Sequence, residues 1–285
     1  MAFSNFIPQV WSARLLEHLD KSLVYVKLLN RDYEGEIKQY GDTVKINQIG
    51  DISIKDYSGE DIDAPEDTDG TQHILNIDQQ KYFNFRVKDV DNAQSKPKVM
   101  DAAMQRAAYA MADVLDQYAA DLLCKGADTN NAIGSDGTPI VPTLSDAYDY
   151  LVDLATKLTE ANVPKAGRWV VIPAWYHGLL LKDSRFTGSG TDYNKAILEG
   201  GEVGVAAGFK VYVSNNVPNT KKAKYKIIAG TNQAATFAEQ LVETEPYRQE
   251  KNFSDAIKGL EVYGAKVLQS KCLAVLTVNP TSATA

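Results

Sequence analysis

An α+β fold is what this sequence predicts, and three observations carry the prediction. One long run has helical spacing, two alternating stretches flank a wholly acidic excursion, and in the later half short helix and strand patterns take turns. The chain has 285 residues, 44% of them hydrophobic, enough to bury a sizeable core in one large domain or two modest ones.

Residues 8–29 begin with Pro8, which suits a first helical turn, and set Val10, Trp11, Leu15, Leu19, Leu23, Val26 and Leu29 at spacings mostly of three and four. That spacing predicts one or two amphipathic N-terminal helices. After Gly41 and Asp42 the period falls to two, at Val44 and Ile46, then Ile52 and Ile54, and later at Phe83, Phe85 and Val87. Alternation puts one set of side chains on each face, so these two strands are expected to face each other across the excursion between them. The excursion, Ser58–Thr71, carries Glu60, Asp61, Asp63, Glu66, Asp67 and Asp69 and no Lys or Arg. A tip this acidic repels itself and does not fold back as a compact core.

Beyond Pro97, the residues Met100, Met104, Ala107, Met111, Val114, Tyr118 and Leu122 step by threes and fours. A single helix over residues 97–124 is expected, about 40 Å long at a rise of about 1.5 Å per residue. Residues 126–142 are rich in Gly, Asn, Asp and Pro and form the natural domain boundary. Leu144, Tyr148, Leu151, Ala155 and Leu158 then predict a second helix that ends near Asn162 and Pro164. Arg168–Ile172 reads as a buried strand, Ala174–Leu181 as a helix begun by Pro173, and Phe209–Val213 as a strand before the turn Ser214, Asn215, Asn216. A strand at Tyr225–Ala229, a short helix over Asn232–Leu241 and two closing strands, Leu260–Leu268 and Leu273–Val278, complete the series.

Composition narrows the function classes. A net charge of −7 disfavours wrapping nucleic acid by phosphate neutralisation, which needs clustered Lys and Arg. No apolar run approaches the roughly 20 residues of a membrane span, and Met1–Ser12 has no leader pattern. Cys124 and Cys272 stand far apart without CxxC spacing, so they read as small buried hydrophobes in a reducing cell. His18, His73 and His177 fit no paired metal-ligand spacing. Ser189 between Gly188 and Gly190 lacks the G-x-S-x-G elbow, and Gly200, Gly201, Gly204 and Gly208 make no phosphate loop. The acidic excursion is no EF-hand, since Pro65 and Asn76 would fall at its first and last ligand positions. No catalytic, cofactor-binding or metal-ligating residues are nominated.

By itself the acidic tip reads as a solvated hairpin end; in an oligomer it reads as an arm seeking cations on a neighbour. Lys96 and Lys98 are candidate receivers, because cations at the N-terminal end of the long helix oppose the helix dipole and an incoming anionic arm would compensate them. Lys221, Lys222, Lys224 and Lys226 read as a solvated loop.

The element order, together with Phe6-Ile7-Pro8-Gln9-Val10-Trp11-Ser12, Gly41-Asp42-Thr43-Val44-Lys45-Ile46, Tyr82–Asp91, Arg168-Trp169-Val170-Val171-Ile172-Pro173 and Gly204–Tyr212 followed by Ser214-Asn215-Asn216, resembles the major capsid proteins of tailed double-stranded DNA bacteriophages. The resemblance spans nearly the whole chain and implies the Hong Kong 97-like fold. Residues 1–34 would be an N-terminal arm and 35–90 an extended β-hairpin loop. Residues 91–130 with 243–285 would be a peripheral domain around a spine helix, and 131–242 an α/β axial domain.

The implied function is that of a self-assembling structural subunit of an icosahedral virion shell, not an enzyme. Hexamers and pentamers, built in the host bacterial cytoplasm, would enclose the DNA without sequence-specific binding, with no membrane and no cofactor. The absence of a long N-terminal scaffolding segment implies a separate scaffolding protein, alongside a portal. Contact between subunits is expected at Glu60, Asp61, Asp63, Glu66, Asp67 and Asp69 on one and Lys96 and Lys98 on the next. Two rival readings are an encapsulin-like nanocompartment shell, told apart by protein cargo in place of DNA, and an unrecognised α/β hydrolase or carbohydrate-binding protein, told apart by a monomer with a convergent polar pocket.

Overall fold

A computed structural model describes residues 24–33, 41–49, 54, 70–88, 99–183, 204–248 and 254–280. Most of the expected N-terminal helix lies outside these residues; its described end holds one 3-10 turn at Val26–Leu28. Strand β1 (Thr43–Ile49) pairs antiparallel with β2 (Gly70–Asn76), from Thr43 opposite Asn76 to Ile49 opposite Gly70. This corrects the expected partner across the acidic excursion. Leu75 and Ile77 bury beside Val44 and Ile46, and that shared apolar side fixes the pairing. Ile54 lies in no strand and is 94% exposed.

Strand β3 (Gln79–Lys88) leaves the hairpin and joins another sheet. It leads, across residues outside the description, to helix α1 (Val99–Gly126), whose 28 residues span about 42 Å. The buried stripe of α1 runs through Met104, Ala108, Met111, Ala112, Leu115, Ala119, Ala120 and Leu123. It is turned about one residue from the predicted one, and Val114 is exposed. Four of those eight positions are alanines, small enough for close approach of a sheet.

Next come the short strand β4 (Ala132–Ile133), helix α2 (Ala147–Glu160), strand β5 (Trp169–Ile172) and helix α3 (Ala174–Lys182). Leu151, Leu154 and Leu158 of α2 are buried. Buried Arg168 closes that helix: its guanidinium donates to the carbonyls of Ala155, Val163 and Pro164 and to the Thr159 hydroxyl. These bonds tie the loop after α2 back onto its last turns. The Tyr176 hydroxyl donates to the Ala147 carbonyl at 2.6 Å, joining α3 to α2.

Strands β6 (Val205–Ala206) and β7 (Phe209–Val213) form a tight hairpin in which Ala207 and Gly208 take φ of 51° and 81°. Two successive positive φ values are what a two-residue type I′ loop needs. Strands β8 (Tyr225–Gly230), β9 (Ala235–Arg248), β10 (Ser254–Val267) and β11 (Leu273–Val278) follow. The helix expected over Asn232–Leu241 is therefore corrected to the start of a 14-residue strand. Ala, Glu and Gln favour helix locally, but pairing with β10 along the whole strand overrides that preference. Pro246 is tolerated because β9 lies at the sheet edge.

Among the described residues the strands form three sheets, one of them the β1–β2 hairpin. A mixed six-stranded sheet runs β4-β11-β8-β5-β7-β6, and an antiparallel three-stranded sheet runs β3-β10-β9. On one face of the smaller sheet Tyr263 meets Tyr118 of α1 edge-on, ring centroids 5.1 Å apart, while Phe83 and Phe85 join the same core as predicted. On the other face Ala238 and Val262 pack with the root of the β1–β2 hairpin. Gly264 is needed there, since a Cβ would drive into the Asn76 carbonyl.

Candidate assembly surfaces

Val24 and Tyr25 are tied down by a side chain that sequence reading passed over. Asp116 lies on α1 between Ala112 and Ala120, each one turn away, and is buried with them. Its Oδ1 accepts from the backbone N–H of Val24 at 3.0 Å and of Tyr25 at 2.6 Å, and its Oδ2 accepts from Asn216 Nδ2 at 3.1 Å. One carboxylate thus joins Val24 and Tyr25, the long helix and the Ser214–Asn216 turn. Burial raises its pKa above the ordinary aspartate value, and the three donated bonds pull the other way. The signal available in the sequence was an Asp placed on the alanine side of the helix.

Further along the chain, Asn30 and Arg31 lie along β9. Asn30 N–H donates to the Ala235 carbonyl, Phe237 N–H donates to the Asn30 carbonyl at 2.9 Å, and Thr236 Oγ1 donates to the same oxygen. Arg31 closes the row with an ion pair to Glu239 Oε1 at 2.5 Å. Backbone bonds and one charged pair thus hold Asn30 and Arg31 along β9.

The β1–β2 hairpin packs its root on the three-stranded sheet. Glu60, Asp61, Asp63, Glu66, Asp67 and Asp69 lie outside the described residues, as do Lys96 and Lys98. Beyond the hairpin root, the outer face of the small sheet is open. Tyr82 is 78% exposed there, beside a groove of about 370 Å³ lined by Asn84, Glu245, Lys258, Gly259 and Leu260. Lys258 pairs with Glu245 at 2.8 Å and sits over the Tyr247 ring, whose hydroxyl donates to Asn84 Oδ1. An exposed aromatic in a polar frame is the composition of a contact surface.

The lysine loop is more ordered than a solvated loop requires. Thr220 and Ala223 close a turn on Lys221 and Lys222, with φ of 51° and 60°. Lys226 pairs with Asp136 and donates to Thr277 Oγ1, while Lys221 and Lys222 stay exposed. Cys272 is buried and Cys124 half-buried, both as free thiols. Among the described residues no group of three or more His, Cys, Asp or Glu is placed to hold a metal ion. No described helix is long and apolar enough to cross a membrane.

Comparison with known proteins bears on these surfaces. A family model described as phage capsid protein matches residues 75–276, from the end of β2 into β11. A solved structure from Mycobacterium phage Che8 is similar over 97% of this chain and 94% of its own, with 29% identity and a TM-score of 0.74. The capsid structure of cyanophage P-SCSP1u matches over 86% and 85%, with 18% identity and a TM-score of 0.69. The SrpI encapsulin complex of Synechococcus elongatus PCC 7942 matches over 90% and 88%, with 13% identity and a TM-score of 0.57. No curated protein sequence matches the chain.

Proposed function

The chain belongs to the phage capsid protein family, and from that membership we propose that it acts as a non-enzymatic shell subunit that assembles into hexamers and pentamers around packaged DNA. It is a major capsid protein of a bacteriophage with a Hong Kong 97-like fold, and its place is the virion capsid. The observation that carries the reading is the family match over 75–276, which takes in both sheets and the long helix.

Assembly works through surface rather than chemistry. Each subunit buries modest area against several neighbours, so single contacts stay correctable while the closed shell gains from their number. Residues 1–34 act as the arm, 35–90 as the extended loop, 91–130 with 243–285 as the peripheral domain and 131–242 as the axial domain. The acids from Glu60 to Asp69 of one subunit lie against Lys96 and Lys98 of the next, where charge complementarity supports the contact. The negative chain encloses DNA without sequence-specific binding, and a separate scaffolding protein and a portal take part during assembly in the host bacterial cytoplasm. Likeness to an encapsulin rests on fold alone.

Electron microscopy with light scattering, on the chain alone and with its candidate scaffold, tests the proposal. Closed shells or capsomers are expected, with fewer shells from the double charge reversal Lys96→Glu and Lys98→Glu. A stable monomer under both conditions refutes the shell reading. Unchanged assembly of the double variant removes the lysine contact.

A further inference from the structure

Glu261 on β10 is 1% exposed, and its Oε2 has no hydrogen-bond partner among the described residues. An ionised carboxylate held out of water without a donor is among the costliest groups a fold can keep. Its neutral form avoids that cost and becomes a hydrogen-bond donor.

An acceptor stands on the neighbouring strand. Glu261 pairs with Leu241 and Glu239 with Tyr263, so the two glutamates share one face of the sheet at diagonal positions, which long side chains can bridge. The ladder shifts between Leu260 and Glu261, leaving Val242 as an extra residue beside them. Their face looks toward α1, where Tyr118 meets Tyr263 and Phe237 stacks on it at 6.3 Å. Glu239 in turn holds Arg31 of the arm root.

Among the described residues, the groups around Glu261 come from several elements. Strand β9 offers Glu239, and β3 offers Lys81, opposite in register but exposed. Helix α1 offers Tyr118, β10 itself Tyr263, the arm root Arg31, and the link after β2 offers Asp78, whose charge acts on both tyrosines. Burial first, and the charge of Glu239 second, push the Glu261 carboxyl up to about 8.

We propose that Glu261 and Glu239 share one proton at neutral pH and that this proton latches the arm root: Glu261 donates to Glu239, which holds Arg31. Loss of the proton to bulk base leaves two negative charges on adjacent strands and loosens residues 24–33 from β9. The latch belongs to the single chain. Its consequence for a shell, how firmly residues 1–23 are held, rests on the capsid reading.

The direction of the pH effect follows from linkage. A solvated glutamate gives up its proton near its ordinary value of 4.5, whereas Glu261 in the closed latch keeps it to about 8. The latch is therefore at full strength below the solvated value, weakens as pH rises through the window up to about 8, and is level above it.

Hydrogen exchange of the amides of residues 24–33, corrected for intrinsic rate, is to be followed in the unassembled full-length chain between about pH 5 and 9. In the wild type, opening is expected to grow by up to about tenfold per pH unit and to level off above about 8. Glu261→Gln, isosteric with the neutral acid, is expected to fold and to show no such growth. Glu239→Gln is expected to move the levelling point down. Equal pH dependence in wild type and Glu261→Gln, a flat wild type, or an unmoved levelling point in Glu239→Gln overturns the latch. Particle formation, measured separately, tells the two readings apart: a chain with the slope and no shells loses the capsid reading alone, and shells without the slope lose the latch alone.

Discussion

The two larger sheets among the described residues differ in how completely those residues cover them. In the six-stranded sheet, β5 and β11 are buried at every position, and α2 packs against β11. The three-stranded sheet faces α1 on one side, but its other side is covered by the hairpin root only around Ala238 and Val262. Toward Tyr82 and Lys258 that face is open. The smaller sheet also takes Asn30 and Arg31 along β9 and keeps a carboxylate, Glu261, in its interior. The larger sheet is finished at its central strands by its own chain; the smaller carries the hairpin root and, among the described residues, an exposed face.

The largest effects are expected from the finished sheet. Leu276 is fully buried, opposite Ile227 of β8 and Ile133 of β4, so Leu276→Ala opens a cavity worth about 2–5 kcal/mol. Chemical denaturation should show the whole transition moving to lower denaturant. A transition that splits, with the small sheet holding on, would mean that the two sheets are separate cooperative units.

A smaller and more local effect is expected at Gly264. An alanine there forces the β2 backbone away from β10, an overpacking cost of about 1–3 kcal/mol. Hydrogen exchange should rise in Thr43–Ile49 and Gly70–Asn76 while β5 and β11 keep their protection. Equal loss in all four strands would break the contrast between the sheets.

How much of this could be read beforehand follows the same division. The strands Arg168–Ile172, Phe209–Val213, Tyr225–Ala229 and Leu273–Val278 were expected within a residue or two of where they lie, because continuous apolar runs between turn residues leave few alternatives. The β1–β2 hairpin and the small sheet were harder. β2 went unseen because Gly70–Asn76 offers only Ile74 and Leu75 as apolar residues beside a long acidic run. The start of β9 looked helical because Ala, Glu and Gln carry that preference, and only its partner, distant in sequence, decides otherwise. The stripe of α1 was turned by one residue because large apolar side chains outweigh alanines in a spacing argument, whereas close contact with a sheet selects the alanines. Asp116 gave little warning, being one of several acids on a helix with exposed sides. The acids from Glu60 to Asp69 and the lysines at 96 and 98 lie outside the described residues, so their contact stands as a proposal.

The smallest effect on the subunit itself sharpens the contrast furthest. Tyr82 is mostly exposed on the open face and faces Leu260 across the ladder. Tyr82→Ser should change unfolding free energy by no more than about 0.5 kcal/mol, since an exposed side chain loses little on truncation. At an interface the same ring would be an anchor, where truncation costs about 1 kcal/mol or more, and a shell repeats that loss at every copy. Light scattering of assembly against subunit concentration should therefore shift to higher concentration while the monomer melts unchanged. If both stay unchanged, the open face is simply solvated and the neighbour sits elsewhere; if both fall, Tyr82 supports its own sheet, and the small sheet is more complete than its exposure suggests.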